Sequence, residues 1–238
     1  MSSFTLAWHF LIFGVLPYVV IAVLILGSLA RFVLAPFSWK SQSSEILDKK
    51  DIFWGANLFH IGVIFLFCGH CFGLFTPTEW LNDAGLTPRL HQMMEIICGG
   101  LSAIVAITGL IILTWRRLTN ERVRAASRPS DFWVLFLLLA VIILGIGCVV
   151  NSYLYDKSGA TIILLGGWVR GLFSFDYQAW QNILLVPDWQ KGHIFVGLII
   201  FLIVPFTRLV HIWSGYLSVF YLIRPHQIMR ANNGKPMK

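Results

Sequence analysis

Charge is what this sequence has least of. Asp, Glu, Lys and Arg together make up 12% of its 238 residues, about half the roughly 25% usual in globular proteins. Hydrophobic residues supply 57%, and mean hydropathy is +0.75. That balance excludes a water-soluble enzyme and a disordered tail. Acidic groups are scarcest, eleven against eighteen basic ones. The resulting +7 is gathered in clusters between long charge-free stretches, so it marks membrane orientation rather than a patch for phosphates. A nucleic-acid partner is thereby excluded. No ~10-residue alternating segments occur, which excludes a transmembrane barrel. Internal repeats, low-complexity tracts and lipidation motifs are absent as well. The N-terminal run lacks a basic leader and a small-residue cleavage site, and it is too long for a signal peptide.

What is there is a series of apolar runs. A helix needs roughly 20 such residues to cross a bilayer. The charge-free stretches are Ser2–Ala30, Ile52–Thr78, Ile96–Trp115, Phe132–Tyr155 and Gly192–Thr207, and the last resumes after Arg208 to about Ile223. They predict five spans in a single all-α membrane domain over 1–238, with a tail at about 224–238. The segments after spans one, three and five carry fourteen Lys and Arg, among them Arg31, Lys49, Arg117, Arg128, Arg208 and Arg224. The other side carries four: Arg89, Lys157, Arg170 and Lys191. The positive-inside bias puts the N-terminus outside and the C-terminus in the cytoplasm. Within the loop 156–191, Ile162–Phe175 is apolar and reads as an interfacial segment or an ordinary surface loop.

Four of the seven histidines lie in two spans: His60 and His70 in the second, His193 and His211 in the fifth. Ionisable groups at membrane depth are costly, so each is a candidate functional group. The ten-residue gap spans about 15 Å and the eighteen-residue gap about 27 Å, the latter five whole helical turns. The two spans run antiparallel, so His60 and His211 share the inner half and His70 and His193 the outer half. Tilt and a kink at Pro205 must absorb the difference of about 12 Å. Opposed imidazoles at matched depth suit the two axial positions of a haem iron, while zinc needs four ligands around one ion. A single histidine could equally be a neutral hydrogen-bonding group, and a proton relay or transporter is the rival for all four. Against that rival, the spans show no Asp or Glu partners and no paired broken helices.

Gly62, Gly69, Gly73, Gly192 and Gly197 flank the histidines and would let a macrocycle approach, or let helices pack closely. Arg208, one turn before His211, would neutralise a haem propionate or snorkel to the inner edge. Cys68-Gly69-His70-Cys71 has C-x-x-C spacing, but an apolar helix offers nothing to make a thiolate, so the cysteines read as small hydrophobes. The order also differs from the C-x-x-C-H needed for covalent haem attachment, so any haem is held by ligation alone. His91, at the outer start of the third span, could accept a proton from a quinol headgroup or simply face water. His9 reads as interfacial and His226 as solvated, and the ten Trp fit aromatic belts.

The chain resembles the gamma subunit, a dihaem cytochrome b, of bacterial membrane-bound respiratory nitrate reductase. The similarity covers nearly all of it. It is carried by WKSQSSEILDKK at 39–50, NLFHIGV at 57–63, GHCFGLFTP at 69–77, WRRLTNERVRAASRPSD at 115–131 and GHIFVGLIIFLIVPFTRLVHIWS at 192–214, together with the ten- and eighteen-residue histidine spacings. The resemblance implies a five-helix bundle with two haem b groups in the bacterial cytoplasmic membrane. It implies that His70 and His193 ligate the outer haem iron, His60 and His211 the inner one, with Gly69 and Arg208 beside them. It implies oxidation of menaquinol or ubiquinol beside the outer haem, around His70 and His91, where a family member has a lysine in place of His91. Electrons would pass to an iron–sulfur subunit and then to a molybdenum-containing catalytic subunit on the cytoplasmic side, since nothing in this chain could bind either of those centres. The same kind of subunit serving another terminal reductase, or a haem-free transporter or anchor, are the alternatives.

Overall fold

A computed structural model describes residues 3–35, 38 and 52–213. The segment WKSQSSEILDKK, His226 and the expected tail at about 224–238 lie outside the described residues. Among the described residues every regular element is helical. Five helices are long and apolar enough to cross a bilayer. They are α1 (Ser3–Leu34), α2 (Ile52–Phe75), α3 (Pro88–Thr119), α4 (Pro129–Tyr155) and, following the shorter α5 (Ala160–Phe173), α6 (Asp188–Phe206). Only 6–22% of each apolar window is buried inside the protein. Most of that surface therefore faces outward, as a lipid solvent permits and water would not.

Helix α3 begins earlier than the charge pattern predicts. Pro88 occupies its first turn and Thr87 Oγ1 accepts from the Leu90 N–H at 3.3 Å, a start that suits a proline without a donor. The expected start at Ile96 is thus corrected to Pro88. Glu95 consequently lies inside a span, which overturns the expectation that the spans hold no acidic residue. Between Glu95 and Gly99 the helix widens into one π-helical turn, a feature concentrated at functional sites.

Helix α6 also departs from expectation. It is α-helical to Ile203, tightens over Val204–Phe206, and opens at Thr207 into extended backbone before a second tight turn at Arg208–Val210. Pro205 has no N–H to continue the ladder. The carbonyls of Pro205 and Thr207 accept instead from Arg31 Nη1 of α1, both at 2.7 Å. Irregular backbone at this depth survives where protein satisfies it. The span is therefore broken rather than kinked, and a five-turn phase from His193 to His211 does not describe it.

Close helix contact is concentrated at the α2–α3 seam. A Cβ on Gly62 would strike the backbone of Ala106, and one on Gly109 the backbone of Phe59. Glycine at both positions brings the two backbones together around Ala103, Ala106, Leu110 and Ile142. At one end of the bundle, Ile162–Phe175 is mostly a packed helix rather than a surface loop. Trp168, Val169 and Leu172 of α5 form a core with Phe13, Ala179 and Ile183. Trp168 Nε1 donates to Phe13 O at 2.8 Å, the carbonyl that the missing N–H of Pro17 would have met. Arg170 Nη1 donates to Thr76 O at 3.0 Å, tying α5 to the end of α2.

Asp156 joins α4 to α5. Its carboxylate accepts from the N–H groups of Ser158, Gly159 and Thr161 at 2.9–3.0 Å. Partial burial works to raise its pKa, but the donors of Thr161 and Ser158 outweigh it and hold the carboxyl down at about 2. At the other end of the bundle Asp131 is buried between two cations. It lies 3.1 Å from Arg117 Nη1 and 2.7 Å from Arg208 Nε, joining α3, α4 and the turn after α6.

Candidate functional site

Histidines from α2 meet histidines from α6 and the turn beyond it in two pairs. The rings of His70 and His193 have centroids 6.0 Å apart and planes 22° apart. Those of His60 and His211 are 6.1 Å apart at 76°. Metal–imidazole bonds of about 2.0–2.1 Å put two rings that share one metal at centroids about 6 Å apart. Both pairs have that spacing.

The four rings are also held alike. Nδ1 lies 2.7 Å from Ala56 O in His60, 2.7 Å from Leu66 O in His70, 2.9 Å from Val141 O in His193 and 2.7 Å from Arg208 O in His211. A carbonyl can only accept, so each Nδ1 carries a proton, which in a neutral imidazole leaves the lone pair on Nε2. This is how proteins orient an imidazole for a metal, since the backbone bond fixes both tautomer and ring plane. His60 and His70 use the carbonyl one turn back on their own helix. His193 reaches across to α4, where a Cβ on Gly145 would sit 3.1 Å from its ring. His211 draws on the tight turn that follows the break at Pro205.

Among the described residues no three or more of His, Cys, Asp and Glu cluster around one metal position. Two nitrogens per site suit the axial positions of a haem, whose porphyrin supplies the other four. Added Cβ atoms at Gly69 and Gly197 would meet nothing within 4 Å, so neither glycine beside His70 and His193 is required by helix packing. The remaining flanking glycines divide otherwise. Gly62 serves helix packing, Gly73 admits the Glu95 carboxylate, and Gly192 would make only ordinary contact with Leu144. The four cysteines are free thiols. Arg208 is engaged by Asp131, and its carbonyl holds His211.

His91 is 4% exposed, so it does not face water. Its ring meets Phe72 edge-on at 5.8 Å. Nε2 is buried without a hydrogen-bond partner and lies 3.7 Å from Glu95 Oε1. With Gly73, Thr76, Thr78 and Arg170 it lines a crevice of about 10 Å3, space for a single water molecule. Glu95 is not legible in the sequence as a site residue, because a charge there reads as the end of the span. The i, i+4 spacing from His91 was the available signal. Nor are Asp131 and Arg31 legible, whose partners are distant in sequence.

Comparison with known proteins gives the family. Residues 9–232 match the nitrate reductase gamma subunit family. The chain is 35% identical to the respiratory nitrate reductase 2 gamma chain of Escherichia coli (strain K12), over 92% of this chain and 95% of that one. It is 35% identical to the respiratory nitrate reductase 1 gamma chain of the same organism, over 93% and 96%. Against the nitrate reductase gamma chain of Bacillus subtilis (strain 168) it is 35% identical over 94% of this chain and 98% of the relative. With five helices able to cross a bilayer and a match over almost its whole length, this chain belongs to the nitrate reductase gamma subunit family, as the multi-pass membrane subunit of an oxidoreductase complex.

Proposed function

We propose that the chain is the dihaem, quinol-oxidising subunit of a respiratory nitrate reductase. In this reading the N-terminus is outside and the C-terminus cytoplasmic. His70 and His193 hold the outer haem b, and His60 and His211 the inner one. Haem at the two pairs would supply one-electron steps between quinol on the outer side and an iron–sulfur subunit on the cytoplasmic side, with nitrate reduced on a molybdenum-containing subunit. The chain's own residues present four lone pairs in fixed directions, keep the surroundings apolar, and set His91 beside the outer pair to receive quinol protons. Menaquinol and ubiquinol both fit that chemistry.

The observation that carries the reading is the shared tautomer. Four rings donate Nδ1–H to carbonyls, and two pairs stand 6.0–6.1 Å apart. Histidines that served only to hydrogen-bond to backbone would have no reason to meet in two pairs at one ring spacing.

A pyridine haemochrome assay on the purified chain tests it. Two b haems per chain are expected, and His193→Ala is expected to retain one, with quinol oxidation lost. Zero or one haem in the wild type would overturn the reading. An unchanged count in the variant would overturn the ligand assignment.

A further inference from the structure

We infer that Glu95 takes the quinol proton and passes it to His91, forming a two-station relay that ends in the polar crevice at the outer face. This rests on the quinol-oxidising reading above and assigns a residue to that chemistry.

Glu95 stands inside a membrane span at the first position of the π-helical turn in α3. An acid at that depth is costly and calls for a named partner. Its ion-pair partner is His91, not a lysine or arginine. The carboxylate rests on Gly73, whose lack of a side chain makes the space: a Cβ there would run into Oε1. Gly73 follows His70 by three residues, about 4.5 Å along the helix. The acid is thus held within a turn of an outer-pair histidine.

Exposure orders the two stations. The His91 side chain is 5% exposed and that of Glu95 is 37% exposed. A quinol arriving through the bilayer therefore reaches the carboxylate before the imidazole. Behind Glu95, His91 Nε2 is buried without a hydrogen-bond partner and lies 3.7 Å from Oε1. That is too long for a hydrogen bond and within reach once a proton draws the groups together. His91 also lines the crevice with Gly73, Thr76 and Thr78. Arg170, which lines the crevice from α5, is committed to the carbonyls of Leu74 and Thr76. Arg89, near the start of α3, is committed to Gln92 and Asp156.

A quinol O–H bond breaks, its proton going to the Glu95 carboxylate, then to His91 Nε2, then to crevice water and the outer solvent. Quinol gives up two protons and two electrons in becoming quinone, so the relay runs twice per turnover, once for each proton, and resets after each. A haem held by His70 and His193 would supply the one-electron acceptor for the two electrons.

The experiment uses the full complex carrying Glu95→Gln or Glu95→Asp. General acid–base groups contribute about 10²–10⁴-fold, so Glu95→Gln is expected to lower kcat for quinol oxidation at least tenfold. KM is expected to move less than twofold, and the haem content and reduced-minus-oxidised spectrum to stay wild-type. Glu95→Asp should recover most of the rate. A protonated-carboxyl band in the redox infrared difference spectrum should disappear in Glu95→Gln. Undiminished kcat, haem loss in Glu95→Gln, or a persisting carboxyl band overturns the relay. Wild-type complex that carries two haems yet oxidises no quinol overturns the quinol-oxidising reading itself.

Discussion

Substituting Asn for Asp131 removes one negative charge from a place where two positive charges depend on it. Arg117 Nη1 and Arg208 Nε lie 3.1 and 2.7 Å from the two carboxylate oxygens, and the Asp131 side chain is 4% exposed. At an effective dielectric of 20, each pair is worth roughly 5–6 kcal/mol before desolvation. Desolvation cancels much of that. Removing one partner of a buried pair still costs about 3–5 kcal/mol, because uncompensated charge is left behind. The two arginine side chains are 18% and 21% exposed, so solvent screens them only in part, and the lower half of that range is the better expectation. For a chain of this size it corresponds to a fall of roughly 6–16 °C in Tm. The loss should be local in effect. Arg208 supplies both the ion pair and the carbonyl that holds His211 Nδ1, so loosening that turn should deplete the haem assigned to His60 and His211. The pair His70 and His193 hangs on carbonyls of α2 and α4 and should keep its own. A thermal melt in detergent, run beside a haemochrome assay, reads both. A Tm within 2 °C of wild type with both haems retained would refute the clamp.

Two further outcomes follow from the same structure. Gly109→Ala places a methyl against the Phe59 backbone, which cannot rotate away. Overpacking of this kind costs about 1–3 kcal/mol, so a lower Tm and weaker haem retention by the His60-bearing helix are expected, and an unchanged melt would count against the seam. Asp156 has its folded pKa depressed to about 2 against about 3.9 unfolded. Its stabilising bonds are therefore present above about pH 4 and lost as pH falls toward 2. Asp156→Asn should flatten the acid limb of a Tm-against-pH curve there, and identical acid limbs would refute the assignment.

Spans and histidines were legible because each depends on residue type alone. Twenty apolar residues in a row have few fates, and four imidazoles at membrane depth stand out against them. Glu95 was hidden by the same rule, since a charge was read as the edge of a span, whereas Thr87 and Pro88 set that edge eight residues earlier. The roles of Asp131 and Arg31 depend on partners far along the chain: Arg31 meets Pro205 and Thr207 across 174 and 176 residues. No periodicity encodes such a contact. The arginine bias that signalled orientation concealed the structural duty of Arg31 inside it, because a cation that satisfies broken backbone looks like any other loop charge.

The break after α6 shows why matched depth was a better guide than helical phase. The gaps between histidines differ by eight residues, about 12 Å of straight helix, so two unbroken antiparallel helices could bring one pair together but not both. Both pairs nonetheless meet at nearly equal ring distances. Pro205 makes this possible by ending the α-helix, and Thr207 opens the chain into extended backbone before His211. Arg31 then satisfies the two carbonyls that the break exposes, and Asp131 holds the turn that presents His211. Proline, arginine and aspartate in this region therefore act on the His60–His211 pair through backbone geometry, without touching either ring. A change at any of the three should disturb that pair first and leave His70 and His193 in place.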